Sequence, residues 1–474
     1  MSASTSKPNL IGEGTYGCVF RPAIKCDGAP NTGIDQKVSK VMKNKHANSE
    51  YTEYDRIAAA DPKHKYYLGK PQKCKMLEVD YVAHVQPSKC RILEPNTTSA
   101  DYSMLQYKDG GMDLNDFASF NLNKFLGSHS PASQKRVDLF WLHAHSLFMG
   151  LKLFAENDIL HDDIKPHNIV VKYDPVSETV KFNYIDFGLM KSMSKQMRDI
   201  INLATTRMFH WSRPMEQGYM SNSAHFDQLY SYTGATNLVD VHTQMISDVI
   251  TKRKTANRFD IDPVSFLLTF EYMENHLSPN NTATIQAHVR SSIESTMNYK
   301  LVPHIFVEKS IKTTDSNSLG FTLNYVANKM HTKRALTDDE YLRLHQLFAR
   351  MFDPNLMTRL DNINTMIAEY ESVLLQNGVL SRLKKTFRNH VITKVSGPRP
   401  TVKSIPVLSV AQASAAAASV PVPMPVPVLA LAQAPKPCPP GKERNPKTGR
   451  CRKQLKPCPP GKVRNPATRR CKKI

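Results

Sequence analysis

The sequence predicts an α+β chain with a small β-rich lobe and a larger helical lobe, followed by a flexible spacer and two short cysteine-containing repeats. Three observations carry this. "IGEGTYGCVF" and the alternating "DQKVSKVMK" read as strands around a glycine-rich turn near the N-terminus. Ser133 to Asn157 and much of Asp260 to Asn389 carry helical periodicity. The last 39 residues repeat a cysteine-bearing unit with a twenty-residue period. The expected divisions are 1–395 for the main domain, 396–435 for the spacer and 436–474 for the repeats.

Composition narrows the class. The chain has 474 residues, 41% of them hydrophobic and 8% aromatic, enough to bury a core. No run of about 18 apolar residues occurs, so no membrane insertion is expected. "MSASTSKPNL" lacks the charged-then-apolar order of a secretion signal. Net charge is +21, and residues 436–474 hold eight Lys and six Arg against one acid, Glu443. A basic tail of that kind points to an anionic partner, a nucleic acid or an acidic protein surface. Cys18, Cys26, Cys74 and Cys90 have no metal-type spacing and read as reduced thiols of a cytosolic domain.

The elements then follow in order. Gly12, Gly14 and Gly17, with Val19 after them, let backbone N–H groups approach phosphates without a Cβ in the way. The next strand places Lys40 within reach of the same phosphates. "NSEYTEYDRIAAA" reads as a short helix capped by Asn48 or Ser49. It offers Glu50 and Glu53 as partners for Lys40, and Glu53 is preferred because Ile57 follows it by four as an inward anchor. "YSMLQYKDGGMDL" is a strand running into a Gly110–Gly111 hinge. Leu105 would back an adenine pocket, with the backbones of Gln106 and Lys108 bonding the base.

The helix over Ser133 to Asn157 sets Val137, Phe140, Leu147, Leu151 and Phe154 at three- and four-residue steps. "HDDIKPHN" follows, then a hairpin turn at Asp174–Pro175 and the strand "VKFNYIDFGL". Asp163 would accept a hydroxyl proton, and Lys165 would neutralise a transferred phosphoryl group. Asn168 and Asp186 would supply the hard oxygen ligands that suit Mg2+.

In this order the motifs resemble those of eukaryotic-type protein kinases. The glycine-rich loop, strand Lys, helix Glu, Gly-Gly hinge, H-x-D-x-K-x-x-N and Asp-Phe-Gly all occur between Ile11 and Leu189. "WSRPME" resembles the family's Ala-Pro-Glu region with the Pro one place early, which would make Glu216 a buried acid. Lys165 and "KPHN" look like the serine/threonine branch. The resemblance implies a bilobal protein-kinase fold, ATP and Mg2+ as cofactors, and protein substrates. It covers Ile11 to Glu216 and fades beyond, leaving Asp227 as the candidate for the large lobe's core acid. Ser192, Ser194, Thr205 and Thr206 are candidate phosphorylation sites. Asp162 stands where the family usually has an arginine that pairs with an activation-loop phosphate. An acid there would repel phosphate, which implies an enzyme without that switch.

Residues 404–435 carry no charge, and their Val-Pro alternation suits a polyproline-II spacer. "KPCPPGKERNPKTGRC" and "KPCPPGKVRNPATRRC" resemble the two-cysteine adaptor repeats of large nucleocytoplasmic DNA viruses. That resemblance implies a viral protein in the host cell cytoplasm, the virion or both, whose tail meets nucleic acid or acidic viral proteins. Each Cys pair could close a disulfide loop, the four could hold one Zn, or all could be free thiols. Two other functions fit the same residues, a pseudokinase and a basic virion scaffold. The presence of Lys40, Asp163, Asn168 and Asp186 together favours the active enzyme.

Overall fold

The computed structural model describes residues 7–14, 16–28, 33–127, 131–202, 213–214, 216–217, 303–353 and 355–383, and four short strands in the repeats. The chain divides into two units, Met1–Thr393 and Lys394–Ile474. The first is mixed α+β, sheet-rich toward its N-terminus and helical toward its C-terminus. Among the described residues no helix is long and apolar enough to cross a membrane.

Five strands form the N-terminal sheet: β1 (Asn9–Glu13), β2 (Gly17–Arg21), β3 (Lys37–Lys43), β4 (Gln72–Cys74) and β5 (Tyr102–Lys108), in the order β1-β2-β3-β5-β4. Val19, Lys40 and Leu105 lie directly opposite one another on β2, β3 and β5, so their side chains share one face. Their neighbours Cys18, Val41 and Met104 share the other face. There they join Phe20, Met76, Tyr81 and Tyr102 in a separate core. Gly17 is required by this packing, because a Cβ would lie 2.8 Å from the Val41 carbonyl oxygen and from Met42 Cγ.

That outer core corrects one expectation. Cys18 is bonded to Cys90, and Cys26 to Cys74. Sequence separations of 72 and 48 residues conceal pairs that the sheet brings to Cα distances of 6.2 and 5.6 Å. Both lie within the roughly 4.4–6.8 Å that a disulfide spans. The bonds tie β2 to the segment between β4 and β5, and the chain after β2 to the end of β4.

Helix α1 (Asn44–Ala60) packs on the Lys40 face of the sheet. It starts four residues before Asn48, so neither Asn48 nor Ser49 caps it. Ala47 is already buried, which draws the helix back to that residue. After β5, Gly111 turns the chain with φ +98, and a Cβ there would run into the Val171 carbonyl. The short strand β6 (Met112–Asp113) follows.

Helix α2 (Pro131–Glu156) fills the middle of the second half. All five residues of its expected apolar pattern are buried, and so are Leu139, Trp141, Ala144 and Phe148, hence the extra apolar positions. Strand β7 (Ile159–Leu160) leads into the loop 161–168. The hairpin β8 (Ile169–Asp174) and β9 (Thr179–Tyr184) turns at Asp174–Pro175. Strand β10 (Lys191–Ser192) returns to pair with β7, and α3 (Met193–Ile201) follows. The C-terminal helices are α4 (Pro303–Lys312), α5 (Thr314–Thr332), α6 (Asp338–Met351), α7 (Ile363–Gln376) and α8 (Val379–Arg382).

In the second unit each repeat forms one antiparallel hairpin. Strand β11 (Lys442–Arg444) pairs with β12 (Cys451–Lys453), and β13 (Lys462–Arg464) with β14 (Cys471–Lys473). Arg444 stands opposite Cys451 as Arg464 does opposite Cys471, so the sequence period is also a structural one. Cys438, Cys458 and the 404–435 spacer lie outside the described residues.

Candidate active site

Lys40 is the centre of the site. Its Nζ donates to Glu50 Oε2 at 2.7 Å, to Glu50 Oε1 at 2.9 Å and to Asp186 Oδ1 at 3.0 Å. Strand β3, the helix α1 that follows it directly, and the distant Asp-Phe-Gly turn thus meet on one ammonium. Burial pulls the Lys40 pKa down, but Asp186 and Glu50 outweigh it and hold the amine charged. Burial likewise pushes Asp186 up, and Lys40 overcomes it and keeps that carboxyl below its ordinary range. Glu50 is raised, by burial and by the neighbouring Asp186, against the pull of Lys40.

The partner of Lys40 is therefore Glu50, not Glu53. The buried stripe of α1 is Ala47, Glu50, Tyr54 and Ile57. At about 100° per residue, Glu50 lies about 20° around the helix from Ile57, and Glu53 about 40° away on the stripe's outer side. Counting four back from the apolar anchor selects the wrong neighbour; counting seven selects the right one. Glu53 is half-buried and lies instead in the field of Arg56 and Lys191. Glu50 is further oriented by Tyr107, whose hydroxyl donates to Oε1 at 2.9 Å. That role follows from β5 packing and had no sequence signal beyond an aromatic on a strand.

The loop 161–168 presents the second group. Lys165 Nζ donates to Asp163 Oδ2 at 2.8 Å and Oδ1 at 3.1 Å. Asn168 Nδ2 donates to Asp163 Oδ2 at 2.7 Å and to its carbonyl oxygen at 2.9 Å. Asn168 is buried and Lys165 half-buried, so Asp163 is held from two sides. The Ile185 N–H donates to the Asn168 carbonyl at 3.0 Å, and His161 Nε2 meets the Ile185 carbonyl at 3.1 Å. This fastens the loop to the approach of Asp186, which has φ +61 and projects from a left-handed turn. Phe187 anchors the turn, buried against His161 at 4.7 Å and Tyr54 at 5.5 Å between ring centres.

Asp315 supports the loop from below. Its Oδ2 and Oδ1 accept the backbone N–H groups of His161 and Asp162 at 2.7 and 3.0 Å. Asp227 lies outside the described residues; Asp315, on α5, is the acid that the structure sets under the loop. Nothing in "KTTDSNS" marks it as a buried acid. Glu216 is fully buried, and Arg359 pairs with both its oxygens at 2.7 and 3.0 Å. Ser192 and Ser194 are both bonded to Asp158, and Ser192 also caps α3. Thr205 and Thr206 lie outside the described residues.

The remaining predicted residues lie on β1, β2, β5 and the turn between β1 and β2. Gly12 and Val19 face each other across β1 and β2, and the Gly14 N–H donates to the Gly17 carbonyl at 2.8 Å to close the turn. Leu105 is buried beside Lys40. Gln106 sits between Ser39 and Gln72, its side chain donating to the Ile24 carbonyl at 2.6 Å. Lys108 is exposed at the end of β5, opposite Lys37. The amines of Lys40 and Lys165, the acids Glu50, Asp163 and Asp186 and the Asn168 amide thus converge where a polyphosphate and a hydroxyl could be brought together. No family model matches this sequence, and no curated protein does.

Proposed function

We propose that the chain is an ATP-dependent protein serine/threonine kinase with a bilobal kinase fold. The observation that carries this reading is the Lys40 bridge to Glu50 and Asp186 beside an Asp163 held by Lys165 and Asn168. In this reading Gly12, Gly14 and Gly17 admit the phosphates, and Val19 and Leu105 flank the base. Lys40 orients the α- and β-phosphates, with Glu50 fixing Lys40. Asp163 takes the proton of the acceptor hydroxyl, and Lys165 stabilises charge on the transferred group.

The donor set fits Mg2+. Asn168 spends its Nδ2 on Asp163, which leaves an amide oxygen, and Asp186 adds a carboxylate; both are hard ligands. When bound, the ion would neutralise charge on the phosphates.

Viral origin, with the basic repeats directing the enzyme to nucleic acid or acidic viral proteins, is the accompanying proposal. Of the two proposed locations, the disulfides Cys18–Cys90 and Cys26–Cys74 favour the virion over a reducing cytoplasm. The test is transfer of label from ATP with Mg2+ to protein, comparing wild type with Asp163→Asn. Loss of transfer in the variant is expected; equal labelling by both refutes the assignment.

A further inference from the structure

Asp162, the neighbour of the proposed base, has a fully buried side chain. Its φ is +68, a conformation that an aspartate keeps only when its surroundings hold it. A buried carboxylate without a cation is strongly disfavoured. Arg213 supplies that cation: its guanidinium donates to Asp162 Oδ2 at 2.8 Å, and Nε donates to the Asp162 carbonyl at 3.2 Å. Arg213 is itself only 5% exposed. Lys191 Nζ approaches the same Oδ2 at 3.4 Å.

Both cations belong to the chain that follows the Asp-Phe-Gly turn. Lys191 lies on β10, which pairs with β7 immediately before the loop. Arg213 lies three residues before Glu216, whose own pairing with Arg359 fixes that end. The positions of Lys191 and Arg213 and the conformation of the loop are therefore coupled through one buried charge. Asp315 closes the coupling from the opposite side, since it takes the backbone N–H groups of His161 and Asp162.

We propose that the Asp162–Arg213 ion pair, backed by Lys191, is a built-in latch that holds β10 and Arg213 on the loop carrying Asp163, so that the site is competent without phosphorylation. This rests on the kinase reading given above. Arginine is always charged at physiological pH, so the latch forms as soon as the chain folds and needs no added phosphate. A phosphate brought to the same place would meet a carboxylate. Arg213 is thus a positioning residue, acting on Asp163 through its neighbour.

The test uses the full-length chain and dephosphorylated casein as acceptor, with kcat and the KM for ATP measured before and after phosphatase treatment. Treated and untreated wild type should agree within about twofold. Arg213→Met should lower kcat by about 100-fold with the KM for ATP nearly unchanged, the pattern of lost positioning rather than lost binding. Arg213→Lys, which keeps the charge, should recover kcat to within about tenfold of wild type. Hydrogen exchange over 159–164 should rise about tenfold in Arg213→Met. Should that variant not fold, Asp162→Asn probes the pair from the other side with little change of shape.

Activity that collapses on dephosphorylation overturns the proposal. So does an Arg213→Met chain with wild-type kcat and exchange. A wild type that transfers no phosphate sinks the kinase reading instead, and exchange over 159–164 then decides the latch alone.

Discussion

Exchanging Glu50 for Gln removes one charge from a three-member cluster and leaves its shape intact. Lys40 is 13% exposed at its side chain and Glu50 5%, so solvent screens their attraction little. Removing one partner of a buried pair costs about 3–5 kcal/mol when nothing replaces it. Here Asp186 remains 3.0 Å from Lys40, so the amine keeps a counter-ion and the cost falls below that range. The Tyr107 bond also persists with an amide oxygen as acceptor. We therefore expect Glu50→Gln to destabilise by about 2–3 kcal/mol, each charge-assisted bond contributing about 1.5–3 kcal/mol. Phosphotransfer should fall by about tenfold or more through the loosened Lys40, a loss of transition-state positioning separate from the stability change. Glu53→Gln, half-exposed and remote from Lys40, should shift stability by no more than about 0.5 kcal/mol. Urea unfolding of the two variants beside wild type, with turnover of labelled ATP, measures both. Equal effects of the two substitutions would refute the pairing and the helix geometry behind it.

Arg359→Met strands Glu216 in the core and should cost about 3–5 kcal/mol in urea unfolding; a loss below about 1 kcal/mol would mean that Glu216 is not buried as described. Asp113 is pushed up to about 6, by burial first and then against its backbone bond from Asp116. A raised carboxyl binds more protons folded than unfolded, so its stability contribution is present below about pH 4 and lost as pH rises to about 6. Asp113→Asn can still accept the Asp116 N–H and should flatten that decline, by about 1 kcal/mol once its partial exposure is discounted; a variant with an unaltered pH profile contradicts this. In denaturant without reductant, Cys18, Cys26, Cys74 and Cys90 should resist alkylation, and labelling of all four would disprove both disulfides. Reduction should lower stability by about 2–4 kcal/mol per bond.

Much of the site was legible because its chemistry is written in local spacing. Asp163, Lys165 and Asn168 belong to one loop, and their mutual bonds follow from that short stretch of chain. Lys40 could be placed because strand alternation decides which side of β3 it takes, and β2 and β5 then put Val19 and Leu105 beside it. The helix α2 was readable from its apolar repeat for the same reason, since a period is a local property.

What the spacing did not settle depends on packing rather than on local pattern. Glu50 and Glu53 share a helix face within one turn, and only the packing of Tyr54 and Ile57 sets which of them points at Lys40. The four N-terminal cysteines show no pattern in sequence, because their pairing depends on how the segment between β4 and β5 folds over the sheet. Asp315 and Arg213 were silent for the same reason. A buried acid or cation looks like any surface charge until the chain that encloses it is in place. Asp162 joins both cases. The sequence by itself determined that an acid stands beside the proposed base. Only the tertiary structure decided that this acid is neutralised from within, because a carboxylate can stay buried only where the fold brings a cation to it.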